Sequence, residues 1–238
     1  MANESGPAVE TTRPLHVGRR VFLGMSALGA LGIAFGSKVQ SFIGSHASSG
    51  VASFIPGGDR FRIYTITDNY PVITPADFRL QVTGLVDTPM TLTLDDLHAM
   101  PATRLTKDFQ CVTGWRVANV EWEGVLLRDI LDRVGVRPGA KALAFTSYDG
   151  ADTESLTLDQ ARRSDVLVAY RMLGAPVTTE HGGPVRLYVA PMYGYKSAKW
   201  LKSISLVEQA TPGFWEQQGY DVEAWIGSSN GRHDAPVA

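Results

Sequence analysis

One sulfur, one imidazole and a small set of cations carry the chemistry that this sequence can hold. Cys111 is the single cysteine and sits in Phe109-Gln110-Cys111-Val112-Thr113-Gly114-Trp115-Arg116. A lone cysteine admits three readings: an inert buried thiol, a nucleophile paired with His98 or His181, or a thiolate ligand to a soft or transition metal. Its position, where a strand pattern gives way to a Thr113-Gly114 turn, is one from which side chains project off a rigid scaffold. Far downstream, His181-Gly182-Gly183-Pro184-Val185-Arg186-Leu187 and Tyr193-Gly194-Tyr195-Lys196-Ser197-Ala198-Lys199-Trp200 set one His, one Arg and two Lys beside glycines. Glycine lets a ligand approach the backbone and arginine grips phosphate with two N–H groups, so an anion cradle is one reading. A solvated basic turn is the other.

Composition narrows the classes. A single Cys excludes an intrachain disulfide, an all-cysteine zinc site and an iron–sulfur cluster. The 238 residues, 44% hydrophobic, suit one sizeable domain with appendages. The formal net charge is −2, from 22 basic and 24 acidic residues. No Lys/Arg run is long enough to follow a phosphate backbone, which argues against a nucleic-acid partner. Neither a haem Cys-x-x-Cys-His nor a flavin fingerprint occurs, so a redox reaction here would need an external electron-transfer partner.

The start of the chain reads as an address. Arg19-Arg20-Val21-Phe22-Leu23 leads into an uncharged, Gly-rich stretch ending at Gly36, shorter than the ~20 residues that span a bilayer. The paired arginine before a weakly apolar run is similar to a twin-arginine export signal. Export to the periplasm or cell-surface side is therefore expected, with the leader either cleaved near Ser45-His46-Ala47 or kept as an anchor. The expected organisation is a leader over 1–46, one domain over 47–227 and a polar tail over 228–238.

The elements that must position the reactive residues are short. Period-two alternation predicts strands over Phe78–Val82 and Met90–Leu94, and Arg104–Cys111 reads as a third. Thr93 or Asp95 caps a short helix over Asp96–Met100. The stripe Val125, Leu127, Ile130, Leu131 and Val134 predicts a helix over Gly124–Val134, ended by Gly135. Ala142–Ser147, Val166–Arg171, Val185–Val189 and Ile204–Val207 read as strands, Leu158–Arg163 as a short helix, and Ser197–Trp200 as a helical turn. The expected fold is α+β, mixed and strand-rich.

Taken in order, these blocks resemble a known family. The Cys111 segment is followed by Trp122-Glu123-Gly124-Val125, Asp149-Gly150, Thr153-Glu154-Ser155-Leu156, His-Gly-x-Pro-x-Arg, Gly-Tyr-Lys-x-x-Lys-Trp and Gly213-Phe214-Trp215-Glu216 with Gly219-Tyr220. From about Phe61 to Tyr220 the chain is similar to the molybdopterin-binding domain of the sulfite oxidase superfamily. Within it, the small exported members of the methionine sulfoxide reductase catalytic-subunit type are the most alike. The resemblance implies a molybdenum–molybdopterin cofactor with Cys111 as metal ligand. It implies that His181 and Arg186 bind the pyranopterin and its phosphate, and that Ser197, Ala198 and Lys199 form the phosphate loop. Asn69 and Tyr70 stand at an Asn-His element, and Ser147 at a further pterin contact.

Two departures bear on the substrate. Sulfite oxidases carry a tyrosine ahead of a Gly-x-Ser, where Ala151-Asp152-Thr153-Glu154-Ser155 offers Asp152 or Ala151. They also follow the metal cysteine with an Asn-Arg-Arg cluster, where only Arg116 stands at a comparable place. Cys111, Arg116 and Asp152 are thus the expected reacting-centre residues. Sulfite must shed its water shell among converging cations, so fewer cations point to a less charged small-molecule substrate such as a sulfoxide. Trp115 is expected to line the pocket, Trp122, Trp200 and Trp215 to be core or pocket wall, and His98 to be structural. A membrane cytochrome b subunit or a c-type cytochrome is the expected electron partner. A monomer is expected, since 18 residues follow Tyr220. The alternatives are a non-catalytic molybdopterin-binding or sensory module and a Cys–His hydrolase.

Overall fold

The computed structural model describes residues 61–67 and 69–237; the twin-arginine leader lies outside the described residues. Among the described residues, ten strands form two five-stranded sheets. The first holds β1 (Leu80–Gly84), β2 (Met90–Leu92), β5 (Ala142–Ser147), β6 (Thr153–Thr157) and β10 (Leu201–Val207), in the order β2-β1-β10-β5-β6. The second holds β3 (Thr103–Gln110), β4 (Arg116–Leu126), β7 (Val166–Met172), β8 (Ala175–Pro176) and β9 (Arg186–Val189). All pairings are antiparallel except β1 with β10. Short helices α1 (Leu94–His98), α2 (Leu127–Val134), α3 (Leu158–Ala161) and α4 (Phe214–Gln217), with a 3₁₀ turn at Gly194–Lys196, complete a strand-rich α+β fold. Among the described residues no helix is long and apolar enough to cross a membrane.

Local chemistry explains the short helices. Thr93 accepts from Asp96 N while Asp96 Oδ2 accepts from Thr93 N, a reciprocal box that starts α1 two residues earlier than expected. Thr157 and Gln160 start α3 in the same way. In α2, Leu127, Ile130, Leu131 and Val134 are buried on one face, each contributing about 1.5–3 kcal/mol.

The expected helix over Gly124–Val134 is a strand for its first three residues. Gly124, Val125 and Leu126 end β4, where Gly124 faces Ala169 and Val125 faces Val168. A Cβ at Gly124 would fall 2.3 Å from the Val168 carbonyl oxygen, so this glycine admits the close approach of β7. The expected helical turn at Ser197–Trp200 forms earlier, at Gly194–Lys196.

Strand β7 divides two cores. Val166, Val168 and Tyr170 face the larger cluster with Phe78, Leu80, Ile130 and Ile204. Leu167 and Ala169 face a second cluster with Phe109, Trp115, Trp122 and Tyr188. A strand buried on both faces has to be continuously apolar, as β7 is from Val166 to Tyr170. Cys111 packs against the second cluster, whose base is Trp122 stacked on Tyr188 at 4.3 Å.

Candidate active site

The strand pair β3–β4 sets the sulfur. Cys111 N donates to Trp115 O at 2.9 Å and Gly114 N to Cys111 O at 3.0 Å, closing a tight turn between the strands. Gly114 has φ +100°, a region glycine enters without steric cost. The turn leaves Cys111 half-buried, with Sγ 3.2 Å from Thr113 Oγ1. Below it, Phe109 and Trp115 stack at 5.7 Å, and Phe61 packs on Phe109, Trp115 and the edge of His181.

This sulfur opens into a cavity of about 260 Å³ whose wall also includes Asp152, His181, Arg186, Ser197 and Lys199. Arg186 begins β9 and is 4% exposed. It donates to His181 O at 2.6 Å, to Ser197 O at 2.8 Å and to Leu187 O at 3.3 Å. One guanidinium thus ties the His181 loop to the Ser197 loop. Burial pulls its pKa down to about 10, against the pull of Asp152. Lys199 is brought down to about 8 by burial and then by Arg186; its Nζ donates to Tyr64 O and lies 4.3 Å from the Trp200 ring centroid. Burial, then Arg186, also lowers His181.

Asp152 is delivered by a turn after β5, where Asp149 Oδ1 accepts from Ala151 N at 3.0 Å and Asp152 N at 2.9 Å. Asp152 is buried, and burial, followed by repulsion from Asp149, pushes its pKa up to about 7. Its Oδ1 has no partner.

Of the residues expected at the site, Cys111, Asp152, His181, Arg186, Ser197 and Lys199 are brought together, and Trp115 lines the same cavity. Others lie elsewhere. Arg116 turns from the cavity to Asp108 Oδ2, Gln110 Oε1 and the carbonyls of Ala235 and Pro236. The buried Asp108 carboxylate beside it is the physical reason. Ala198 is buried in the larger core. Ser147 is buried with an unpartnered Oγ. Asn69 is exposed, and the Tyr70 ring leans on Trp200 at 5.9 Å. His98 is exposed and meets Tyr170 edge-on at 4.5 Å.

Tyr195, Trp215 and Tyr220 also line the cavity. Tyr195 and Tyr220 were legible only as parts of motif blocks, and nothing local marks them as cavity residues. Among the described residues, no group of three or more His, Cys, Asp or Glu is placed to hold a metal.

Comparison with known proteins places this arrangement. A family model described as an oxidoreductase molybdopterin binding domain matches residues 67–215. The uncharacterized oxidoreductase YuiH of Bacillus subtilis is 38% identical over 166 residues, covering 66% of this chain and 83% of that protein. The sulfite oxidase of Arabidopsis thaliana is 31% identical over 179 residues, covering 61% of this chain and 46% of that one. A putative protein-methionine-sulfoxide reductase subunit, YedZ1 of Azospira oryzae, is 31% identical over 169 residues, covering 71% and 63%. The chain therefore spans about half to two-thirds of the length of these last two relatives. Among solved structures, the sulfane dehydrogenase SoxCD of Paracoccus pantotrophus superposes with a TM-score of 0.57 at 27% identity, over 60% of this chain and 41% of that one.

Proposed function

Because the chain belongs to the oxidoreductase molybdopterin-binding domain family, an enzyme family of the sulfite oxidase superfamily with a molybdenum–molybdopterin cofactor, we propose that it is exported and reduces a sulfoxide-type substrate, with Cys111 as the metal ligand. The observation that carries this reading is the meeting of Cys111 with His181, Arg186, Ser197 and Lys199 around one cavity.

The residues present fit such a group. Two cations, the buried Arg186 and the half-buried Lys199, reach that cavity, and among the described residues neither has a carboxylate within salt-bridge distance. An anionic phosphate would supply the missing charge. Asp152 Oδ1 and Trp115 Nε1 are buried without partners, which is costly unless a ligand satisfies them. A Cβ at Gly182 would lie 2.6 Å from the Lys199 side chain, and one at Gly194 2.4 Å from the Phe109 ring. Glycine at both positions keeps these walls where they are.

When bound, the molybdenum–pterin group supplies a two-electron change coupled to movement of an oxygen atom. Cys111 would hold the metal through Sγ, and His181, Arg186, Ser197 and Lys199 the pterin and its phosphate. The aromatic floor of Phe61, Phe109 and Trp115 excludes water and so strengthens each polar contact inside. Asp152, with a pKa of about 7, can hold a proton at its carboxyl near neutral pH and supply one of the two protons with which the sulfoxide oxygen leaves as water. Electrons come from a separate partner, a membrane cytochrome b subunit or a c-type cytochrome.

Arg116 decides between substrates. Its donors are taken by Asp108, Gln110 and the carbonyls of residues 235 and 236, so it adds no cation for a desolvated sulfite. Tyr195, Trp215 and Tyr220 instead offer aromatic faces suited to an uncharged sulfoxide. Steady-state kinetics test this. Sulfoxide reduction with a kcat/KM at least tenfold that of sulfite oxidation is expected, and efficient sulfite oxidation without sulfoxide reduction overturns it.

A further inference from the structure

The two segments that carry Tyr195 and Trp215 into the cavity wall are joined to β6 by one buried ammonium. Lys196 closes the 3₁₀ turn that carries Tyr195, Glu154 lies in β6 two residues after Asp152, and Glu216 lies in α4 beside Trp215. None of the three lines the cavity. Lys196 is 1% exposed, and its Nζ donates to Glu154 Oε1 at 2.5 Å, Glu216 Oε1 at 2.5 Å and Ser155 O at 3.0 Å. All three ammonium protons are used. The segments also touch directly: Ser155 Oγ donates to Thr211 O at 2.6 Å, and a Cβ on Gly213 would fall 2.3 Å from Thr153 O. Gly213 therefore lets α4 press onto β6.

The charge count of this cluster is uneven. Two carboxyls face one ammonium, and both carboxyl side chains are 0% exposed. Their outer oxygens, Glu154 Oε2 and Glu216 Oε2, are buried without partners. The inner oxygens of both carboxyls accept from the same Lys196 Nζ, which holds the two acids side by side. Two buried carboxyls facing a single ammonium carry one negative charge too many unless one of them keeps its proton. Burial raises the proton affinity of Glu154 well above the ordinary carboxylate range; Glu216 adds to this and Lys196 opposes it. The remaining ionisable neighbour is Tyr195, whose phenol is held neutral chiefly by burial, donates to Asp221 O at 2.6 Å and accepts from Asn230 Nδ2 at 3.1 Å.

We propose that Glu154 and Glu216 share one proton over the Lys196 ammonium, making a neutral clamp in which Lys196 and Glu216 are the positioning residues that hold Tyr195, Trp215 and Tyr220 against the substrate. The clamp joins no bond to substrate or cofactor. It sets where the wall stands, and so it governs substrate binding more than the chemical step.

The test uses the full-length, cofactor-loaded protein and two variants, Glu216→Gln and Glu216→Leu. Gln keeps an acceptor for Lys196 and presents a neutral N–H₂ where the shared proton stands; Leu keeps neither. Amide hydrogen exchange over Gly213–Tyr220 is the first readout and needs no substrate. Exchange within about twofold of wild type in Glu216→Gln and at least about tenfold faster in Glu216→Leu is the expected result. In Glu216→Leu, KM for a sulfoxide rises about tenfold while kcat changes less than about threefold and metal content holds. That kinetic arm rests on the proposed sulfoxide reaction; the exchange arm does not, so the two failures are distinguishable. Fast exchange in Glu216→Gln overturns the shared proton. Wild-type exchange and KM in Glu216→Leu overturn the positioning role. Should Glu216→Leu not accumulate, Glu216→Gln alone decides the shared proton, and Lys196→Met takes the place of Glu216→Leu with the same expected and contrary outcomes.

Discussion

Arg116 Nη1 lies 3.2 Å from Asp108 Oδ2, within strand pair β3–β4 and off the cavity. Asp108 is 7% exposed, and its Oδ1 also accepts from Asn119 N at 3.0 Å. The arginine that sequence places near the reacting centre is therefore drawn to a buried anion, and onward to the carbonyls of residues 235 and 236. Nearby, Arg232 packs its guanidinium against Gly114 of the Cys111 turn while pairing with Asp234. The last described residues thus form a strap beside the turn that carries the thiol.

Arg116→Ala should act on this strap first. Losing one partner of a buried carboxylate costs about 1–3 kcal/mol, read as a lower Tm. KM for a sulfoxide should move less than about threefold. A large rise in KM at unchanged Tm would return Arg116 to the substrate.

Asp152 should make stability depend on pH in protein prepared without cofactor. Its folded pKa of about 7 lies above its unfolded value, so the folded state binds the proton more tightly. The stabilisation is fully present below about pH 4 and is lost as pH rises through about 7. Asp152→Asn should remove a pH-dependent loss on the order of a few kcal/mol over that window. Denaturant midpoints measured from pH 4 to 8 check this, and parallel wild-type and variant curves would contradict it.

Gly182→Ala should weaken cofactor retention. Gly182 has φ +97°, and an added Cβ would meet Lys199 Cβ and Cγ at 2.6 Å. Backbone strain of about 1–3 kcal/mol and displacement of the Lys199 stem act together. Pterin released during gel filtration should increase at least about tenfold for each 1.4 kcal/mol of lost affinity. Unchanged retention would remove this glycine from the cradle.

Much of the frame was legible because alternation and turn residues are local signals. Leu80 and Val82 are buried between exposed Gln81 and Thr83, and Ala142–Ser147 appears at its expected bounds. Strand β4 was not foreseen. Its alternation is broken at Asn119, which takes φ +53°, and its buried end Gly124-Val125-Leu126 runs straight into α2. Leu126 gives that helix no side-chain cap, so one apolar stripe covers two kinds of structure. The same distinction holds at the site. Cys111, His181, Arg186 and Lys199 carry marked residue types beside glycines, whereas Tyr195, Trp215 and Tyr220 reach the cavity through a clamp of residues from three distant segments. Arg116 could not be placed from sequence, because its partner Asp108 is buried only once β3 and β4 pair.

The central claim is that the single thiol holds the metal. X-ray absorption at the molybdenum edge, on wild type and Cys111→Ser made in a molybdenum-competent host, tests it most directly. The account predicts about one molybdenum per chain in the wild type and one metal–sulfur bond fewer in the variant. An unchanged sulfur count in Cys111→Ser, or a wild-type protein without molybdenum, would contradict it.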